Sequence, residues 1–463
     1  MSSAEVRPVS PRDIISAGLC IGCGGCAARE DAAMTWDGDG FLKPTGAARW
    51  YRNRDADFSR TCPFSPGAAN EDEIAAALYP DAPQRDERIG RYRAAFVGHA
   101  EEAFRAGGSS GGLVSWVAAA LLRRGMIDAV AHVAPADPDT EGRYFAYRLS
   151  RTEEEVRSGA KSRYYPVELS GVLKAIRGTP GRYAVVGVPC FIKAINLLRA
   201  RDPVLRERIR YTLGLFCGHM KSARMIDSFA WQLDTDPSDV RAVDYRLKNP
   251  GRPANWYTAH LTLKGGEKRW RDWWHLVDGD WGAGFFQNSA CNYCDDVVAE
   301  TADIAFGDAW VEPYSSDGRG TNVVIVRSPE LLDLVQAGMA GGRLNLQPVD
   351  SAFIVETQAA GFRHRREGLA WRLARHRPLG IGKRVAPGSS GLPLRRRLIY
   401  SARKRISAWS HKFARLSRRT GISGLYLHWA KAALVCYQGL TYSRGRIGKW
   451  MDYLEVRLGS QVR

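Results

Sequence analysis

The 463-residue chain holds no run of about eighteen uncharged apolar residues, so no membrane-spanning helix is expected. Met1 to Ile15 carries Pro8, Pro11 and several charges but no apolar core. No secretory signal is expected, and a cytoplasmic setting follows, where cysteines serve metals more often than disulfides. No internal repeat is found. Neither a Gly-x-Gly-x-x-Gly fingerprint nor a Walker loop occurs in the glycine-rich stretches discussed below. Acids are scarce at one end. From Ile381 to Arg463, 18 Lys and Arg face only Asp452 and Glu455, so +16 of the formal +18 lies there and the first 380 residues keep +2. The body is therefore nearly neutral, and the basic character belongs to the tail. The 45% hydrophobic and 25% charged fractions are those of a soluble globular protein, and the length suggests about three domains.

What is present in telling form is cysteine. Cys20-x2-Cys23-x2-Cys26 is spaced by glycines, and Cys62-Pro63 follows at a distance. Three crowded thiolates and a trailing Cys-Pro match the ferredoxin manner of holding a 4Fe-4S cluster. Structural zinc more often takes two separated Cys-x2-Cys pairs. A Cys-Pro can also serve a different cluster in two-cluster ferredoxins. A second four, Cys190, Cys217, Cys291 and Cys294, is scattered, and Cys436 is left over. Cys190 and Cys217 each follow an expected strand, at the edge where α/β sheets gather ligands. Small buried cysteines are the competing explanation.

From Tyr92 the pattern alternates strand and helix. Strands are expected at Ala94–Gly98, Ile127–Val133, Tyr183–Val188, Tyr211–Phe216, Asp303–Phe306 and Asn322–Val326. Helices are expected at Leu113–Arg124, Phe191–Arg199 and Ala223–Leu233, giving a mixed or mostly parallel sheet. Val243 to Leu263 reads as further β structure, and Trp281 to Ser289 as a short helix. The run Gly107 to Gly112 lies between a strand and a helix, where backbone N–H groups can cradle an anion such as a flavin pyrophosphate. A plain flexible loop has equal claim. Lys161-Ser162-Arg163-Tyr164-Tyr165 offers cations, a hydroxyl and rings, although a solvated basic turn explains it as simply.

Taken in order, these pieces resemble the coenzyme F420 hydrogenase/dehydrogenase beta-subunit family, whose relatives include chlorophyll-type reductases. The matching residues are Cys20-x2-Cys23-x2-Cys26, Asp39-Gly40-Phe41, Cys62-Pro63, Gly108-Ser109-Ser110-Gly111-Gly112, Gly187-Val188-Pro189-Cys190 and Leu215-Phe216-Cys217-x-His219. They continue with Cys291-x2-Cys294-x-Asp296, the run Ala302 to Trp310, and Gly320-Thr321-Asn322. The resemblance implies FAD and two 4Fe-4S clusters, one on Cys20, Cys23, Cys26 and Cys62 and one on Cys190, Cys217, Cys291 and Cys294. It also implies a flavin site at Gly108, Ser109, Ser110, Gly111 and Gly112 with Lys161, Ser162 and Tyr164. Lys161-Ser162-Arg163-Tyr164 stands where the family commonly has Gly-Ser-Lys-Tyr. Asp308, His219 and Tyr164 are candidate proton donors by residue type.

The resulting expectation is an α/β (α+β) fold. It comprises a ferredoxin-like iron-sulfur domain over 1–67, a linker over 68–91, a mixed-sheet flavin and iron-sulfur domain over 92–365, and a basic helical tail over 366–463. Leu394, Leu398, Ala402, Ile406, Trp409, Phe413 and Leu416 recur at helical spacing among basic residues, and Ile422 to Tyr442 reads as a second helix. An anionic membrane surface suits this tail, placing the protein at the inner face of the membrane; nucleic acid is the lesser alternative. The expected activity is electron transfer from a one-electron partner such as ferredoxin, or exchange with a deazaflavin, through clusters and FAD to a small organic substrate. The alternatives are an electron-transfer subunit of a larger complex and a zinc-stabilised nucleic-acid-binding protein.

Overall fold

The computed structural model describes residues 8–29 and 32–459. A hairpin of β1 (Ala32–Trp36) and β2 (Leu42–Gly46) follows the first three cysteines, and a second of β3 (Gln84–Asp86) and β4 (Gly90–Tyr92) precedes the main sheet. That sheet uses β5 (Ala94–Ala100), β6 (Ala129–Pro135), β7 (Phe145–Ser150), β8 (Tyr183–Gly187) and β9 (Ile209–Leu215). A separate antiparallel sheet of β10 (Val240–Leu247), β11 (Thr258–Leu263) and β12 (Lys268–Asp272) interrupts it. The main sheet is completed by β13 (Ile304–Asp308), β14 (Asn322–Val326) and β15 (Leu344–Pro348), in the order β15-β5-β14-β13-β9-β8-β6-β7.

The four strands β13, β9, β8 and β6 are parallel neighbours, with antiparallel strands on both flanks. The fold is therefore mixed α/β. Strands buried on both faces need continuous apolar sequence, and Tyr183–Gly187 and Asn322–Val326 are buried throughout. One face packs Ala131, Val185 and Ala305 against the helices Ser170–Gly178 and Pro189–Arg201. The other packs Val130, Val186 and Phe306 against Leu113–Arg123 and Pro329–Ala340. Val9, Ile14, Leu19, Ile21 and Phe64 join the first of these cores, so the N-terminal cysteine segment is packed directly on the sheet's helices.

The stretch 68–91, expected as a linker with one short helix, carries that helix at Glu71–Leu78 and, with Tyr92, the β3–β4 hairpin. Ile74, Ala75, Tyr79, Ile89 and Tyr92 are buried, because apolar residues at helical spacing are hidden among its charges. Its Glu71 pairs with buried Lys193 at 3.1 Å. A strap near residue 383 closes over the same region. Lys383 reaches Asp295 at 3.3 Å, and Arg384 clamps both Glu300 oxygens at 2.6 and 2.8 Å.

The tail forms three helices, Leu394–Thr420, Gly424–Tyr442 and Gly445–Gly459. Along the first of these the apolar stripe is divided: Ile406 is buried against the body, while Leu394, Trp409 and Leu416 are exposed. Ser407, Ser410, Ala414 and Ser417 are buried as well. Small serines let the helix approach closely and answer backbone groups: Ser407 donates to the Gln287 carbonyl at 3.0 Å, and Ser410 and Ser417 accept from the Phe286 and Tyr426 amides. Among the described residues no helix is long and apolar enough to cross a membrane.

Asn322 joins several of these parts. Its side-chain oxygen accepts from the Leu113 amide at 3.2 Å, and its nitrogen donates to the Gly307 carbonyl at 2.9 Å. Asn322→Ala strands a buried donor and a buried acceptor, so a loss of about 2–4 kcal/mol is expected by urea unfolding. Asn322→Asp keeps the acceptor but not the donor, and should recover part of that loss.

Candidate redox and cofactor site

The parallel strands end at one edge, and the chain leaves that edge with chemistry attached. Pro189-Cys190 opens the helix after β8, Phe216-Cys217 follows β9, and Asp308 ends β13. β14 and β5 run antiparallel to their neighbours, so Asn322 and Gly98 pair at this same edge and the turn after β5 leads to the glycine-serine loop.

A cavity of about 900 Å³ lies there, near the upper size of small-molecule sites. Cys190, Cys217, Cys291 and Cys294 all line it. So do Gly108, Ser109, Ser110, Gly112, Lys161, Ser162 and Tyr164; Gly111 lies behind, its α-carbon facing Asn322. Burial pushes the Cys217 thiol up to about 12 and the Cys291 thiol up to about 11, and raises Cys190 and Cys294 as well. The Arg365 guanidinium opposes that rise at Cys217, Cys291 and Cys294. Its Nε and Nη1 are buried without partners, and an anionic thiolate-bound group would suit them.

Cys20, Cys23, Cys26 and Cys62 line a smaller adjoining cavity. Burial raises Cys23 to about 12, and burial with neighbouring thiolates raises Cys26 and Cys62. Ile21 and Phe64 line both cavities and form an apolar partition between them. Among the described residues no three His, Cys, Asp or Glu side chains meet closely enough for one metal ion. A four-iron cubane, with one iron per thiolate, takes a more widely spread set than zinc does.

The glycine-serine loop is pinned on several sides. The Ser110 hydroxyl donates to the Thr321 carbonyl at 3.0 Å, and Lys248 donates to the Ser110 and Arg319 carbonyls at 2.9 and 2.7 Å. Gly112 has φ +80°, and a Cβ there would lie 2.5 Å from the Phe104 backbone, so glycine is required. The Ser162 amide donates to the Ser109 hydroxyl at 2.8 Å, joining the two segments that the sequence singled out separately. Lys161 holds φ +118°, a region costly for a side chain, at the position where glycine is common in the resembled family. Its ammonium lies 3.5 Å from Asp244.

All three candidate proton donors line the cavity. Asp308 is tied to Arg246 at 2.9 Å, and that guanidinium stacks over Tyr257 and Trp310. His219 stacks on Trp281 at 4.4 Å with its Nε2 unpartnered; burial and the Lys221 charge hold its pKa well below the usual value. Burial raises the Tyr164 phenol. Sequence reasoning missed Lys221, which is fully buried, lines the cavity and donates to the Phe285 carbonyl at 2.6 Å. Burial brings its pKa down to about 7.

Residues 95–174 match the N-terminal model of the coenzyme F420 hydrogenase/dehydrogenase beta subunit, and residues 181–352 match the C-terminal model of the same subunit. No curated protein matches the chain. Among solved structures, a chain of the xenon-derivatized F420-reducing NiFe hydrogenase complex from Methanosarcina barkeri aligns over 66% of this chain and 99% of its own. The identity is 16% and the TM-score 0.48. By the two models, which together span more than half of its residues, the chain belongs to the coenzyme F420 hydrogenase/dehydrogenase beta-subunit family of oxidoreductase subunits.

Proposed function

We propose that the chain is an FAD- and 4Fe-4S-dependent oxidoreductase that takes electrons from a one-electron donor and delivers them to an organic substrate. One observation carries the reading: the glycine-serine loop, the Lys161–Tyr165 segment and four cysteines face one cavity, and Ile21 and Phe64 line both it and the pocket of the other four cysteines. FAD would link single-electron carriers to two-electron chemistry, and the clusters would carry electrons one at a time.

The chain's own residues have definable tasks. The N-terminus of Leu113–Arg123 and the loop before it present backbone N–H groups to a pyrophosphate. Lys161 and Arg163 add positive charge beside the loop. Tyr164, Trp273 and Trp281 pack together and exclude water. Lys221 is the cavity group best suited to hand over a proton near neutrality, whereas Asp308 is held by Arg246.

The tail supports a second part of the proposal, attachment to an anionic membrane surface. Lys404, Arg405, Lys412 and Arg419 are exposed and make no ion pair among the described residues. Trp409, Leu416 and Ile422 stand beside them, 48%, 44% and 56% exposed. Exposed aromatic and aliphatic side chains among unpaired cations fit a lipid headgroup layer.

Anaerobically purified protein should contain FAD and about eight irons. Cys291→Ser should remove about half of the iron, and unchanged iron content would end the second-cluster assignment. Full-length protein should float with phosphatidylglycerol vesicles and not with phosphatidylcholine alone. Replacing Lys404, Arg405, Lys412 and Arg419 by Glu should abolish flotation; equal binding would exclude this surface. The full chain is needed because Ile406, Tyr426 and Tyr437 belong to the core. Finally, Lys221→Met should slow substrate reduction yet stabilise the fold. The folded pKa of about 7 lies below the unfolded value of 10.5, so burial penalises the charged form. That cost is on the order of 4 kcal/mol near pH 7 and fades as pH rises toward 10.5. Urea unfolding at pH 7 and 9.5 should show the variant's advantage shrinking.

A further inference from the structure

The wall beside the second cysteine set holds buried basic side chains that make no ion pair among the described residues. Arg365 ends the helix Ala359–Arg365 and is 2% exposed. Its Nη2 donates to the Cys217 and Gly218 carbonyls at 2.8 and 2.7 Å, and its other two nitrogens are unpartnered. It makes no ion pair among the described residues. Asp296 is the carboxylate that bears on it most, but that group already accepts from the Val298 and Glu300 amides at 3.0 Å each. The charges reaching Arg365 most strongly are those of Cys294, Cys217 and Cys291.

Two more buried basic side chains lie nearby, and the Cys291 charge bears on Lys221. Arg372 donates to the Asn292 and His364 carbonyls, and Lys221 to that of Phe285. Neither has an ion pair among the described residues. The first cysteine set is surrounded differently. Glu168 bears on Cys23, and Lys43 spends its ammonium on the Cys20 carbonyl.

Unmatched buried cations are costly unless an anion faces them. A cubane held by four thiolates is a net anion and gains a further negative charge on reduction. A guanidinium cannot lose its proton, so Arg365 offers a constant positive charge in a dry wall. Resting on the two-cluster reading above, we propose that Arg365 is a positioning residue that raises the reduction potential of the second centre above that of the first. Electrons then run from the Cys20–Cys62 site toward the cavity. The exchange moves one electron: the first centre is oxidised by one as the second is reduced by one, with no bond or proton changing hands. The electron is replaced by the external one-electron donor.

The test is an EPR-monitored redox titration of full-length protein reconstituted anaerobically with iron and sulfide, with iron counted in every sample. The centre that Cys291→Ser removes should have the higher potential in the unaltered protein. Arg365→Gln should lower that potential by at least the 59 mV of a tenfold change in a one-electron equilibrium, leaving the other unmoved. Arg365→Lys should retain most of the original value. If Arg365→Gln fails to fold or to hold iron, Lys221→Met should lower the same potential. About eight irons with unmoved potentials, or the reverse order of the two centres, overturns this inference alone. Protein that never holds more than about four irons overturns the two-cluster reading and this inference with it.

Discussion

The site depends on the hydrogen bonds of one amide side chain. Asn322 pairs by backbone with Gly98 and Asp308 on either side, while its side chain anchors the first N–H of Leu113–Arg123 and the Gly307 carbonyl. A Cβ on Gly111 would meet that side chain at 2.8 Å, so the loop can lie against it only as glycine. The sheet edge, the helix N-terminus and the tight loop therefore meet at a single residue. Lys248 secures the far side of the loop through backbone carbonyls and so takes up none of its N–H groups.

From this edge the molecule is arranged as a sequence of compartments. The first four cysteines, the Ile21 and Phe64 partition, the second four, and then the wide cavity follow one another. Each wall is mostly apolar, and the polar exceptions are concentrated where charge would change: Arg365, Lys221 and His219 near the second set, Arg246 with Asp308 deeper in the cavity. An isolated ferredoxin-like module would turn one face to water. Here Leu19, Ile21 and Phe64 share a core with the main sheet's helices, so the N-terminal cysteine segment is packed directly against the rest of the fold.

Much of this was legible in sequence because strong local rules wrote it. The doubly buried strands Tyr183–Gly187 and Asn322–Val326 require unbroken apolar runs, and those runs were read to within a residue or two. The Cys20–Cys26 spacing and the glycine loop are short-range patterns. The rest was set by long-range packing. β7 and β15 pair at the sheet's edges; β7 lacks alternation, and that of β15 spans only Leu344 to Gln347. The tail's docking face is made by small hydroxyls that apolar periodicity does not mark, because close approach and backbone hydrogen bonding suit serines there. Arg365 sits in an arginine-rich stretch that reads as solvated, and Lys221 has no motif; only burial against cysteines distant in sequence distinguishes them.

The strap residues Lys383 and Arg384 have a consequence for how the molecule closes. They follow all eight paired-set cysteines in the chain, yet they supply the counter-charges for Asp295 and Glu300, beside Cys294. The order of residues along the chain thus sets an order of closure: the strap that neutralises the loop after Cys294 comes later in the chain than every cysteine of both sets and just before the tail helices.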